Sequence, residues 1–167
     1  MSETTGKRDV VQRHQIADYL NIGTSESPNW VLMGVGFTSL NETFGAESES
    51  SKYVNEASES SSVTSYKSVF PFEAHLIKSQ EAVNALYTVG RNHLVGAEAE
   101  FEYCRVELFE GKASADSTYA ARKFLVSAEV SSIEGDKKQS VKGNLNAVGD
   151  PVDGYFNTKT PAFTAAD

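Results

Sequence analysis

The chain has 167 residues, enough to bury a sizeable core as one domain without covalent staples. Its 15 Lys+Arg stand against 23 Asp+Glu, a formal net charge of −8. That balance argues against a protein that grips phosphates, since nucleic-acid affinity comes largely from Lys and Arg displacing counterions. A single cysteine, Cys104, excludes an internal disulfide. No apolar run approaches the roughly 18 residues of a membrane-spanning helix. Residues 1–9 are polar with no apolar segment behind them, so no signal peptide is expected. A soluble protein made in a reducing compartment is the expectation.

The charge is concentrated. Residues 41–62 hold Glu42, Glu47, Glu49, Glu56 and Glu59 against Lys52, and residues 97–110 hold Glu98, Glu100, Glu102, Glu107 and Glu110 against Arg105. Each stretch is net −4, so the two together equal the charge of the whole chain.

In chain order, residues 1–12 are polar and expected to be flexible. Residues 14–21 (HQIADYLN) place Ile16, Tyr19 and Leu20 at helical offsets over a short span. Residues 30–40 (WVLMGVGFTSL) read as a strand, with Gly34 and Gly36 marking a bulge or a close neighbour. Residues 41–66 change character: eight of 26 are Ser and five are Glu. Such a stretch buries too little apolar surface to offset its ordering entropy, and a loop of this length is usually functional or disordered. Residues 65–77 resume strand character, with Phe70, Phe72, Ala74 and Leu76 on one face and Pro71 marking an edge position or a break. Ser79 is a plausible N-cap for a helix over 80–92, with Val83, Leu86, Tyr87 and Gly90 on one stripe.

Residues 96–110 alternate at first. Glu98, Glu100 and Glu102 point one way and Ala99, Phe101 and Tyr103 the other. Beyond Tyr103 the phase flips, which predicts a bulge or a strand that changes its neighbouring layer. Residues 118–133, with Phe124, Val126, Ala128 and Val130 on one face, and residues 139–148 read as a β-hairpin around 134–138. Residues 149–156 read as a turn-rich tail around an apolar anchor. The sum is five or six mostly hairpin-linked strands and one helix. The predicted class is mainly β: an antiparallel sandwich or barrel with one flanking α-helix and a long extended loop.

Residues that carry chemistry are sparse. His14, His75 and His93 lie far apart, and with one cysteine there is no zinc-ligand spacing. Cys104 sits on an apolar half-strand, where an inert buried thiol is the simpler reading than a nucleophile. No nucleophile elbow and no phosphate-cradling glycine loop occurs. No cofactor, metal or catalytic residue is expected. The Glu98/Glu100/Glu102 comb admits an acid/base or calcium reading, but a face turned to water explains three mutually repelling carboxylates more simply. Bulk solvent and an enclosed channel both satisfy it.

Residues 63–110 (VTSYKSVFPFEAHLIKSQEAVNALYTVGRNHLVGAEAEFEYCRVELFE), the opening WVLMGVGFTSLNETF and the closing GDPVDGYFNTKTPAF resemble the major tail tube proteins of long-tailed (siphovirus) bacteriophages over roughly residues 28–163. Ser68-Val69 departs from that pattern, where relatives often carry Pro. The resemblance implies a single tail-tube domain over 1–167. Six copies would close into a ring, and rings would stack into the conduit for double-stranded DNA. Self-association, a tail terminator and tail-tip or tape-measure proteins would be its partners, the virion tail its location, and no membrane would be involved. A loop at about 41–66 would reach the next ring, with Glu47, Glu49, Lys52, Tyr53, Val54 and Glu56 as candidate arm residues. Glu98, Glu100 and Glu102 would face a lumen through which DNA passes without specific binding. A sheathed or toxin-delivery tube is the near alternative. A stand-alone β-sandwich module for adhesion or carbohydrate is the alternative from another class; a hydrolase is more distant.

Overall fold

The structure, a computed structural model, describes residues 10–111 and 116–166. Ten strands and one helix account for most of it: β1 (Ile16–Asn21), β2 (Trp30–Leu32), β3 (Phe37–Leu40), β4 (Ala46–Ser51), β5 (Ser60–Tyr66), β6 (Val69–His75), α1 (Glu81–Arg91), β7 (Glu100–Gly111), β8 (Thr118–Glu134), β9 (Ser140–Asn157) and β10 (Ala162–Ala165). Eight strands form one antiparallel sheet in the order β2-β1-β7-β8-β9-β6-β3, with β10 added to β9; β4 and β5 pair only with each other. The mainly β, one-helix class is as expected.

The sheet curls on itself. β2 and β3 stand at opposite ends of the strand order, yet residues 33–36 connect them. Five Cα steps span less than about 20 Å, so the two ends must approach each other. The connection bonds to both flanks: Met33 N–H donates to Asp18 O (2.8 Å), and His75 N–H donates to Gly36 O (2.8 Å). The predicted single strand over 30–40 is therefore two strands flanking a turn at 33–36.

Inside the curl lies the larger core, where the Phe70 ring packs at 4.7 Å against Tyr103, tilted by 54°, and edge-on at 4.9 Å to Phe124. Helix α1 closes it with Ala82, Leu86 and Val89, and Val83 of the same helix is also buried. Gln80, not Ser79, occupies the helix N-cap, without a side-chain hydrogen bond. A smaller cluster lies on the opposite face of the sheet, where Phe156 packs at 4.3 Å on Tyr19 and edge-on at 5.7 Å to Trp30.

These two layers explain three departures from the sequence reading. In β1, Leu20 joins the first cluster and Tyr19 the second, so adjacent residues are both buried and a strand imitates helical spacing. In β7, Tyr103 faces the first cluster, while Cys104 and Val106 lie in the second. Pairing runs unbroken from Glu100↔Ser127 to Glu107↔Ala120 through that point. The flip after Tyr103 is thus a change of layer; the irregularity in register comes later, between Glu107 and Gly111. Third, residues 149–156 are not a tail. They continue β9, with Phe156 fully buried, and Gly149-Asp150-Pro151 form a bulge opposite Phe124 between the pairs Leu125↔Val148 and Lys123↔Val152. Gly149 takes φ +75° there, a conformation that glycine tolerates best.

Pro71 sits within β6, opposite Asn144 of β9. Its carbonyl accepts from Asn41 N–H (3.1 Å). In an antiparallel strand a residue's N and O point to the same neighbour, so its missing donor lies on the side where β3 has just ended at Leu40.

Candidate functional site

Two surfaces and one buried cluster stand out. The first surface is the sheet face opposite α1. Phe124, Val126 and Ala128 point into the main core, so Lys123, Leu125, Ser127 and Glu129 point the other way. The register sets Glu102 beside Leu125 and Val148, Glu100 beside Ser127 and Asn146, and Glu129 beside Asn144. Glu129 accepts from Asn144 Nδ2 (3.4 Å) and Asn146 Nδ2 (3.5 Å), and Lys123 Nζ lies 3.5 Å from Glu102. Further along, Lys142 lies 2.7 Å from Glu134 and 3.9 Å from Glu73. Its hydrogen bond to Glu134 and the nearby carboxylates raise the Lys142 pKa. The face thus carries Glu73, Glu100, Glu102, Glu129 and Glu134 against Lys123 and Lys142.

The glutamate comb is corrected here. Glu98 belongs to a short 3-10 turn, Gly96–Ala99, and precedes the strand. Only Glu100 and Glu102 lie on β7, both half-buried, and Glu129 is the residue that extends their row. The alternation at 98–102 is the same in sequence for a turn running into a strand as for a strand throughout.

The second surface is the hairpin β4–β5. Every residue of both strands is exposed. The expected long loop is present, and within it Ala46 pairs Tyr66 and Ser51 pairs Ser60, with a register shift between Glu47 and Ser48. Ser50 and Ser61 share a hydroxyl contact of 2.9 Å, and Ser65 Oγ donates to Glu47 (3.2 Å). Six residues of strand reach about 20 Å. At the tip, Tyr53 and Val54 are exposed, with Glu56 accepting from Tyr53 N–H (3.4 Å) and Ser60 Oγ (3.3 Å). Glu49 and Lys52 are likewise exposed. At the root, Lys67 N–H donates to the carbonyls of Phe44 and Gly45, both at 3.1 Å. Gly45 has φ +62°, and a Cβ there would stand 2.1 Å from Lys67 O, so the root accepts glycine only.

The buried cluster ties that root to the barrel. Glu42 receives both Nη atoms of Arg122 (2.7 and 2.9 Å) and lies 3.5 Å from Arg105 Nε. Arg105 Nη1 donates to Asp18 Oδ1 and to the Tyr103 hydroxyl, each at 3.2 Å, and the Tyr103 hydroxyl donates to Asp18. Arg13 Nη2 completes the set at 2.8 Å from Asp18 Oδ2. Asp18, Glu42 and Arg105 are almost wholly shielded from solvent. Burial, with the Asp18 charge adding to it, pushes the Tyr103 phenol well above its usual pKa. For Arg105, burial acts to lower the pKa, but Tyr103, Asp18 and Glu42 outweigh it and leave the guanidinium raised. Hydrogen bonds to Glu42 are the main cause that raises Arg122. Burial also drives the Cys104 thiol far above its usual value, which makes it inert. The sequence reading did not pick out this cluster. Its signal was there in charged residues set between apolar neighbours: Asp18 in IADYL, Arg105 in YCRVEL and Arg122 in YAARKF.

No family model matches the chain, and no curated protein does. Solved structures do. A chain of the virion of a native gene transfer agent particle superposes with a TM-score of 0.55 at 10% identity, covering 93% of this chain and 100% of that one. A chain of the tail of an empty gene transfer agent particle, refined helically with C6 symmetry, gives 0.54 at 10% identity with the same coverage. The shared feature is the fold. A chain of the six-fold symmetrised baseplate of the anti-feeding prophage reaches a TM-score of 0.49 at 8% identity.

Proposed function

We propose that this chain is a structural tail-tube subunit: six copies close into a ring, rings stack, and the bore carries double-stranded DNA. The observation that carries the reading is the end-to-end likeness of fold to a chain of a C6-symmetric particle tail. Two features fit. The acid-rich sheet face suits a bore wall, because carboxylates repel a duplex whereas Lys and Arg would bind its phosphates and slow passage. Glu100 and Glu102 line that wall in this reading, with Glu129 beside them and Glu98 at its margin. The β4–β5 hairpin suits an inter-ring arm. A lone two-stranded ribbon is marginal in water, and a strand-bearing arm gains its partner on assembly. Stacked rings need such a non-identical match between one surface and another. Subunits of its own kind, a terminator and tail-tip or tape-measure proteins are its proposed partners, and the virion tail its place. The single unit over 1–167 remains part of this proposal; of the expected flexible stretch 1–12, residues 1–9 lie outside the described residues.

The test is electron cryo-microscopy of concentrated protein, beside a variant whose residues 47–65 are replaced by a short Gly-Ser link. Wild-type tubes with Glu100 and Glu102 on the inner wall, and a variant that keeps its urea midpoint but forms none, are expected. A clean monomer at all concentrations, or tubes with those glutamates outside, would overturn the reading.

A further inference from the structure

We infer that the seam of the barrel is the receptor for the hairpin tip of another copy of this chain. The inference rests on the arm reading above and adds its docking site. A groove of about 1020 Å³ runs where the sheet fails to close, between the first half of β1 and the outer edge of β3. Its volume matches the upper end of small-molecule pockets. On one side, β2 pairs only with residues 19–21 of β1, so among the described residues the edge at Ile16 and Ala17 has no strand opposite it. On the other, β3 is the last strand of the sheet.

Arg13 shows what the seam accepts. Its Nη1 donates to Ile16 O (2.7 Å) and its Nη2 to Leu40 O (3.2 Å), one carbonyl on each bank. A single side chain thus satisfies, in the free copy, acceptors of the kind that the N–H groups of an added strand satisfy. Leu32, Phe37 and Leu108 give the groove an apolar lining, and Leu32 is more than half exposed. Charge selects the occupant. In a chain of net −8 this groove has one acid, Asp18, already held by Arg13 and Arg105, while Arg13 and His14 stand at its lip. The hairpin carries Glu47, Glu49, Glu56 and Glu59 against Lys52, and offers Tyr53 and Val54 as an unburied apolar pair. An acidic ribbon with an apolar tip and an acid-poor groove with an apolar floor are complementary surfaces on one chain. Such a pairing is heterologous and repeats without closure.

The experiment places a benzophenone side chain at position 53 and co-assembles that protein with an excess of ¹⁵N-labelled wild type. Photolysis and peptide mapping follow. Adducts on labelled chains within residues 32–37 or at Leu108 are expected; adducts confined to any other surface, or to the tip's own chain, would overturn the inference. Leu32→Glu supplies a second measurement. It is expected to keep the wild-type urea midpoint while raising at least tenfold the protein concentration needed for tubes. Tubes at the wild-type concentration would sink the groove as receptor, while loss of tubes on arm replacement would still uphold the arm. Tubes that survive arm replacement would instead defeat the arm reading itself.

Discussion

Glu42→Gln tests whether the buried charges hold the root of the β4–β5 hairpin to the barrel. The substitution keeps size and shape. It removes one of two carboxylates that offset three guanidiniums, taking the cluster of Arg13, Asp18, Glu42, Arg105 and Arg122 from +1 to +2. Breaking a fully buried ion pair costs about 3–5 kcal/mol, because the remaining charge stays desolvated and alone. Two facts reduce that figure. Arg105 keeps Asp18, and the Arg122 side chain is 27% exposed, so water re-solvates part of it. Glutamine also retains one acceptor for Arg122. About 2–3 kcal/mol is therefore expected. With a urea slope of about 2–3 kcal/mol/M, the midpoint should fall by roughly 1 M, and Tm by about 5–10 °C. Urea melts followed by circular dichroism and Trp30 fluorescence at low protein concentration read it out. A loss below about 1 kcal/mol, at unchanged slope, would show that the cluster does not anchor the root.

Phe124→Ala removes the ring that meets Phe70 edge-on and lies 6.2 Å from Tyr103. Phe124 is almost wholly buried, so about 3–5 kcal/mol is expected in the same melts, and less than about 1 would mean the face is not core. The raised Tyr103 phenol links stability to alkaline pH. Its folded pKa lies above the ordinary value of about 10, so below that pH both states hold the proton and its contribution is complete. As pH climbs past about 10, the unfolded chain releases the proton first and stability drops, by up to about 1.4 kcal/mol per pH unit. Melts between pH 8 and 11, with absorbance at 295 nm, should show Tyr103 ionising together with unfolding; stability that stays flat to pH 11 would contradict its burial beside Asp18.

Strands buried on one face were legible. Phe70, Phe72 and Ala74 alternate with half-buried neighbours in β6, and Phe124, Val126 and Ala128 alternate with half-buried or exposed ones in β8, since one wet face and one dry face impose period two. Where the sheet is covered on both faces, that period vanishes. Tyr19-Leu20 passed for a helix fragment, and Tyr103-Cys104 for a slip in phase, because sequence order does not say which layer lies on each side. The helix stripe was visible in Val83 and Leu86, its cap was not. The hairpin within 41–66 was hidden by its serines, which have little strand preference; backbone pairing and a few serine hydroxyl contacts define it, with no buried apolar face to impose a period. The charge cluster stayed dark because Arg13, Asp18, Glu42, Arg105 and Arg122 are brought together by the curl of the sheet across as many as 109 positions of sequence.

The isolation of the β4–β5 ribbon also decides what a protease would leave behind. A nick within 52–59 divides the chain into a piece holding β1, β2 and β3 and a piece holding β6 to β10. The second keeps five contiguous strands, β7-β8-β9-β6 with β10 on β9, but loses the strands at both of its edges; the first keeps only the β1–β2 pair of that sheet, with β3 apart from it. β1 is zipped to β7 and β3 to β6 across the cut, and Arg105 grips Asp18 from the other fragment. The severed molecule should therefore travel as a non-covalent heterodimer of its own halves, coming apart only when denaturant melts the barrel.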